Sequence, residues 1–141
     1  IKTTFATARE NGGLIEITDN MNDVKDADVI YGDIWASMGE EDLIPERTKL
    51  LSPYRVTEET LKATGNPNVL YMHCLPADIT GLSCEEGEVD NSVFDRYIVP
   101  LYKQASYKPY IIAAMIFMSQ VKDPVRALMA MDEGTGKRKS F

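Results

Sequence analysis

His73-Cys74-Leu75-Pro76 holds the only histidine of the chain and one of its two cysteines. An imidazole holds or passes a proton near neutral pH, and a thiol serves as nucleophile or weak hydrogen-bond donor. A second stretch, Asp33-Ile34-Trp35-Ala36-Ser37-Met38-Gly39, offers a carboxylate, a hydroxyl and a thioether. A carboxylate beside a thiol and an imidazole is suited to orienting an amine nucleophile and accepting its proton. Taken singly, each residue also has a plainer reading: His73 as a satisfied core histidine, Cys74 as a small buried residue, Asp33, Ser37 and Met38 as loop surface. Which reading holds depends on whether the two stretches meet.

The elements around them suggest that they do. Val69-Leu70-Tyr71-Met72 is a short apolar run introduced by the turn residues Gly65-Asn66-Pro67-Asn68, the pattern of a buried parallel strand. Pro76, which has no N–H to donate, ends any ladder there. Val29-Ile30-Tyr31 reads as a second strand and runs straight into Asp33. Open α/β sheets bind ligands beyond the carboxyl ends of their strands, and adjacent parallel strands would bring the two loops together.

The rest of the chain supplies a cover for such a sheet. Lys2 to Asn11 reads as a helix stopped by Gly12-Gly13, and Leu14 to Thr18 as a strand. Asp19 or Asn20 caps a short helix through Val24 and Ala27. Pro45 to Leu51 is helical with proline at its first position. Thr57 and Thr60 form a capping box for a helix ending at Gly65. Ala77 to Asp90 shows no apolar periodicity and reads as a long loop, a candidate lid. Asn91 caps a short helix through Val93, Phe94 and Tyr97. Pro100 makes Ile98 to Leu101 an edge strand. Tyr110 to Met118, after Pro109, is a helix so apolar around its circumference that burial on most faces is expected. Pro124 to Met131 is a last amphipathic helix. Helix and strand alternating with short connections predict an α/β fold, a three-layer sandwich around a parallel Rossmann-like sheet. Residues 1–131 are expected to form the domain and 132–141 a disordered tail.

Composition narrows the function. The 141 residues carry a formal charge of −7, which argues against a nucleic-acid partner. Apolar residues at 44% and charged ones at 26% are ordinary for a soluble protein, and no run of about 18 apolar residues suggests a membrane span. One histidine and two cysteines give no metal-ligand spacing and no disulfide scaffold. A reduced, cytoplasmic setting is expected, with Cys74 free, partly exposed and unpaired with Cys84.

Together, Asp33-x-x-x-Ser37-Met38-Gly39 and His73-Cys74-Leu75-Pro76 resemble signature stretches of the transcarbamylases, above all ornithine carbamoyltransferase. The first looks like the family's amino-acid-binding loop and the second its active-site stretch. Val29 to Asp33 also resembles the family's strand, and the similarity runs from about Thr18 to Met118. The resemblance implies transfer of the carbamoyl group of carbamoyl phosphate to the amine of an ornithine-like amino acid, with no metal or organic cofactor and a homotrimeric full-length enzyme. It implies that Asp33 and Cys74 contact the attacking amine, with His73 supporting them. Ser37 and Met38 would hold the α-amino and α-carboxylate groups, and the Leu75 carbonyl the carbamoyl NH₂.

Two departures stand beside it. The arginine that the family places just before its last helix is absent from Gln104-Ala105-Ser106-Tyr107-Lys108-Pro109, where Lys108, or else Lys103, offers a point charge instead of a fork. Asp78 to Cys84 also differs from the ornithine enzyme, as in another transcarbamylase branch. The family's Ser-x-Arg-Thr phosphate motif and the first strand of the amino-acid domain do not occur in these residues. The chain is therefore expected to be part of a longer protein and inactive alone. Two alternatives remain: a non-catalytic amino-acid-binding module, and a thiol enzyme using Cys74 and His73, whose neighbouring strand positions point to opposite faces.

Overall fold

The computed structural model describes residues 2–133. Two parallel strands form its first sheet: β1 (Val29–Gly32) pairs with β2 (Leu70–His73), with Val29 opposite Leu70 and Gly32 opposite His73. A second parallel pair, β3 (Ile79–Thr80) and β4 (Val89–Asp90), follows in sequence. The fold is α/β, a Rossmann-like arrangement represented here by two short parallel sheets.

Local signals account for the helices before β2. Helix α1 (Lys2–Glu10) stops ahead of Gly12, whose φ of +74° favours glycine. Asn20 caps a 3-10 turn over Met21–Val24 by accepting the Asn22 N–H. Helix α2 (Ile44–Leu51) carries its proline in the first turn. Helix α3 (Glu58–Ala63) begins with the full capping box: the Thr57 hydroxyl accepts the Thr60 N–H at 3.2 Å, and the Thr60 hydroxyl accepts the Thr57 N–H at 3.1 Å.

The chain divides into two compact units, 1–98 and from Val99 onward. The first has a core that includes Leu61, Val69, Tyr71, Val89, Val93 and Phe94. Tyr97 ties helix α4 (Asn91–Ser106) to this core by donating its hydroxyl to the Val69 carbonyl at 2.6 Å. The described part of the second unit holds the end of α4 with α5 (Lys108–Gln120) and α6 (Pro124–Glu133). Beyond Glu133 the expected tail lies outside the described residues.

Several expectations are corrected. Leu14 to Thr18 is no strand: β1 pairs with β2 alone, and Leu14 and Ile17 are exposed. Ile98 to Leu101 is helix, because the stripe Val93, Phe94, Tyr97, Leu101 keeps helical spacing through Pro100. Ala77 to Asp90 is no loose lid: Ile79 and Val89 are buried, and Val56 bridges to this segment through the Glu88 carbonyl at 2.9 Å and the Asp90 N–H at 3.0 Å. Helix α5 has no buried residue; Tyr110, Ile111 and Met115 are each at least 60% exposed. Apolar composition states what a helix would bury, not what the chain provides to cover it.

Candidate active site

The register of β1 and β2 builds the site. Gly32 and His73 are opposite each other, so the next residues, Asp33 and Cys74, leave the sheet side by side. The Cys74 thiol donates to Asp33 Oδ1 at 3.0 Å, and the Ile34 N–H donates to the same oxygen at 2.9 Å. Glycine is required at position 32: a Cβ there would lie 2.6 Å from Tyr71 Oη and 2.9 Å from His73 Cδ2.

His73 is 1% exposed, hydrogen-bonded at Nδ1 and within ion-pair distance of a carboxylate at Nε2. Nδ1 accepts the Leu75 N–H at 2.9 Å, and Nε2 lies 3.1 Å from Glu88 Oε1. An Nδ1 that accepts carries no proton, so the ring proton sits on Nε2, facing Glu88. Glu88 is 3% exposed, and its Oε1 also accepts the Asp78 N–H at 2.7 Å. A buried carboxylate thus orients the imidazole, and the imidazole in turn holds the backbone of the next loop. Leu75 occupies the left-handed region at φ +49°, which costs a side-chain-bearing residue roughly 1–2 kcal/mol. Its bond to His73 keeps the backbone there, at the Leu75–Pro76 cis peptide.

The second loop is tied down independently. Arg47 on α2 forms a fork with Glu40, Nη1 to Oε2 at 2.9 Å and Nη2 to Oε1 at 3.1 Å, and Nη1 also donates to the Trp35 carbonyl at 2.9 Å. Glu40 Oε2 accepts the Ser37 N–H at 3.1 Å. Ser37 and Met38 point into solvent, with Met38 94% exposed.

These contacts set the charges. The Cys74 thiol, and after it the Ile34 N–H, hold the Asp33 carboxyl below the usual carboxylate range. Burial, and after it the bond to Asp33, push the Cys74 thiol up. The pair is therefore carboxylate and thiol rather than carboxylic acid and thiolate. Cys74 lies past the end of β2, where strand alternation stops, so its Sγ comes within 3.7 Å of His73 Nδ1 despite their adjacency. That proximity does not make a nucleophile, because the raised thiol works against the thiolate form. Cys74 and Cys84 are not joined in a disulfide, and both are half-buried.

Asp33, His73, Cys74 and Leu75 therefore meet, and Ser37 and Met38 share the Asp33 loop. Lys108 opens α5 in the second unit. Sequence reasoning missed Glu88, Glu40 and Arg47. Glu88 stands in a stretch without periodicity, so nothing local marked it; the spacing of Glu40 ahead of Arg47 on a short helix was the one available hint. Among the described residues no cluster of three or more His, Cys, Asp or Glu could hold a metal ion. Nor is any described helix long and apolar enough to cross a membrane.

Two loops at the carboxyl ends of paired parallel strands, one bearing a carboxylate and the other a thiol and a buried imidazole, stand where open α/β sheets bind their ligands. The family described as "Aspartate/ornithine carbamoyltransferase, Asp/Orn binding domain" matches residues 1–119, and the chain belongs to it. It is 39% identical over 140 residues to "Putative carbamoyltransferase YgeW" of Escherichia coli strain K12, covering 83% of this chain and 35% of that protein. It is 52% identical over 91 residues to the catabolic ornithine carbamoyltransferase of Clostridium perfringens strain 13, covering 63% of this chain and 26% of that one. The anabolic ornithine carbamoyltransferase of Campylobacter jejuni superposes with a TM-score of 0.71 at 25% identity, over 82% of this chain and 36% of that one. The chain spans between about a quarter and just over a third of the length of the curated relatives it matches.

Proposed function

We propose that the chain forms the amino-acid-binding part of a carbamoyltransferase that moves the carbamoyl group of carbamoyl phosphate to the amine of an ornithine-like amino acid. The observation that carries this reading is the 3.0 Å bond from the Cys74 thiol to Asp33 at the paired ends of β1 and β2. Asp33, kept ionised, orients the attacking amine; Cys74 accompanies it at the same edge. The amine nitrogen bonds to the carbonyl carbon, and the bond from that carbon to the phosphate oxygen breaks. A carboxylate held below its usual range is a weak base, so the amine proton passes to the more basic departing phosphate. Asp33 therefore aligns the nucleophile more than it deprotonates it.

The Leu75 carbonyl, presented by its left-handed backbone, accepts from the carbamoyl NH₂, while His73 and Glu88 hold that backbone. Ser37 and Met38 bind the amino acid's α-groups, and Lys108 supplies positive charge toward phosphate. The same reading carries a cytoplasmic homotrimer of the full-length protein, without metal or organic cofactor. Family membership and the relatives' names support carbamoyl transfer in general; ornithine is the first substrate to test.

The experiment is a ureido-product assay on the full-length protein with carbamoyl phosphate and ornithine, followed by other α-amino acids carrying a second amine. A ureido product with equimolar phosphate is expected. Binding of amino acids by calorimetry without any product would instead favour a non-catalytic module.

A further inference from the structure

The turn that carries Ser37 and Met38 is held by two residues that the proposed function does not use, Glu40 and Arg47. The Arg47 fork grips both oxygens of Glu40 and, through Nη1, the Trp35 carbonyl, while Glu40 Oε2 receives the Ser37 N–H. One guanidinium on α2 thereby fixes both ends of the 35–40 turn. The Glu40 N–H to Ser37 carbonyl bond at 3.0 Å, and the Gly39 N–H to Glu41 Oε1 bond at 3.0 Å, complete it. Gly39 provides the φ of +88° that the turn needs. None of these bonds uses the Ser37 hydroxyl.

The side chains of Arg47 and Glu40 are 34% and 38% exposed. A pair so exposed adds little to overall stability. Its two-pronged geometry specifies shape instead, which a lysine in place of the arginine could not reproduce. We infer that Glu40 and Arg47 are positioning residues that set affinity for the amino-acid substrate by ordering the Trp35–Glu40 turn before the ligand arrives. A ligand meeting an already ordered turn does not have to supply the entropy of ordering it. The inference rests on the proposed amino-acid role of Ser37 and Met38 and extends it to the two residues behind them.

Trp35 is the only tryptophan of the chain and lies within the turn, so its fluorescence reports the clamp without any ligand. The first measurement is acrylamide quenching of Trp35 in the ligand-free chain. Arg47→Met is expected to make Trp35 more accessible, and Arg47→Lys to do so partly. The second is steady-state kinetics of the same variants in the full-length protein, with ornithine and carbamoyl phosphate as probes. Arg47→Met is expected to raise KM for ornithine about tenfold, the scale of ordering one residue. The KM for carbamoyl phosphate and kcat should change by less than about threefold, a split that a general loss of structure would not give. Unchanged quenching in Arg47→Met overturns the clamp. Altered quenching with an unchanged KM for ornithine overturns its link to binding. A wild-type protein that neither binds nor carbamoylates ornithine or related amino acids removes the underlying functional reading, and this inference with it, whatever the quenching shows.

Discussion

Asp33 is the residue on which the proposed chemistry turns. Asp33→Asn keeps the shape and removes the charge, so the attacking amine loses a charge-assisted bond of about 1.5–3 kcal/mol. At roughly 1.4 kcal/mol per tenfold, kcat/KM should fall about tenfold to a hundredfold. The side chain is exposed, so the melting temperature should stay close to wild type. Steady-state kinetics with a melting curve as control measure both, and an unchanged kcat/KM would remove Asp33 from the site. The same substitution has a second signature. Burial raises the Cys74 thiol first, but the bond and charge of Asp33 raise it further. Maleimide labelling of Cys74 at pH 8 should therefore be faster in Asp33→Asn than in wild type, and both slower than labelling of the denatured chain. Equal labelling rates in the two folded proteins would mean that the thiol does not sense the carboxylate.

At the scale of elements, Glu88 and Gly87 show what a short segment can hold. Glu88→Ala would take away the acceptor of the part-buried Asp78 N–H, at about 1–3 kcal/mol for the unpaired group, and the carboxylate 3.1 Å from His73 Nε2. Gly87→Ala would drive a Cβ into the Asp78 carbonyl and within 2.9 Å of Cys84 Sγ, an overpacking cost of about 1–3 kcal/mol. Urea denaturation of both variants should show midpoints well below wild type; an unchanged midpoint for Gly87→Ala would mean that the 77–90 segment yields freely. These residues also mark the limit of the sequence reading. Strands β1 and β2, the Thr57 capping box and the Asn20 cap were legible because short apolar runs and capping side chains act locally. Strands of two residues, such as β3 and β4, have no period to read, and the Glu88–His73 contact exists only once β2 and β4 are folded. Pro100 misled because proline is usually barred from helix interiors, yet the stripe ending at the buried Leu101 outweighed it.

Over the whole molecule, stability should be unevenly distributed. The first unit contains the buried Tyr71, His73, Ile79 and Val89 of its strands, whereas α5 has no buried residue and Val125, Leu128 and Met129 of α6 are at least half exposed. Segments with few buried contacts open at low free energy. Hydrogen exchange should show amides of α5 and α6 exchanging well before those of β1 and β2; uniform protection across both units would contradict this. The pH dependence has a definite sign as well. Burial first, and then the charge of Glu88, raise the Tyr71 hydroxyl in the folded protein, while an unfolded tyrosine ionises at about 10. A raised value stabilises the fold below the unfolded value and loses that contribution as pH climbs toward the folded one. Burial raises Cys84 in the same direction, and Cys74 has been described above. Stability measured by denaturant should therefore fall from about pH 8.5 upward as the unfolded thiols ionise, and further above about pH 10. Tyr71→Phe should flatten the upper part of that decline.

The pairing of Gly32 with His73 also constrains how the gene can change length. Successive strand residues face opposite ways, so inserting or deleting one codon within 29–32 or 70–73 would shift the register by one residue, move that strand's side chains to the other face and part Asp33 from Cys74. Within the connection between these windows, the exposed turn around Gly65, Pro67 and Asn68 is where a length change leaves the register alone. Viable length variants should therefore accumulate at that turn and be excluded from the two windows. A deletion scan with soluble expression and Cys74 labelling as readouts would map that boundary codon by codon.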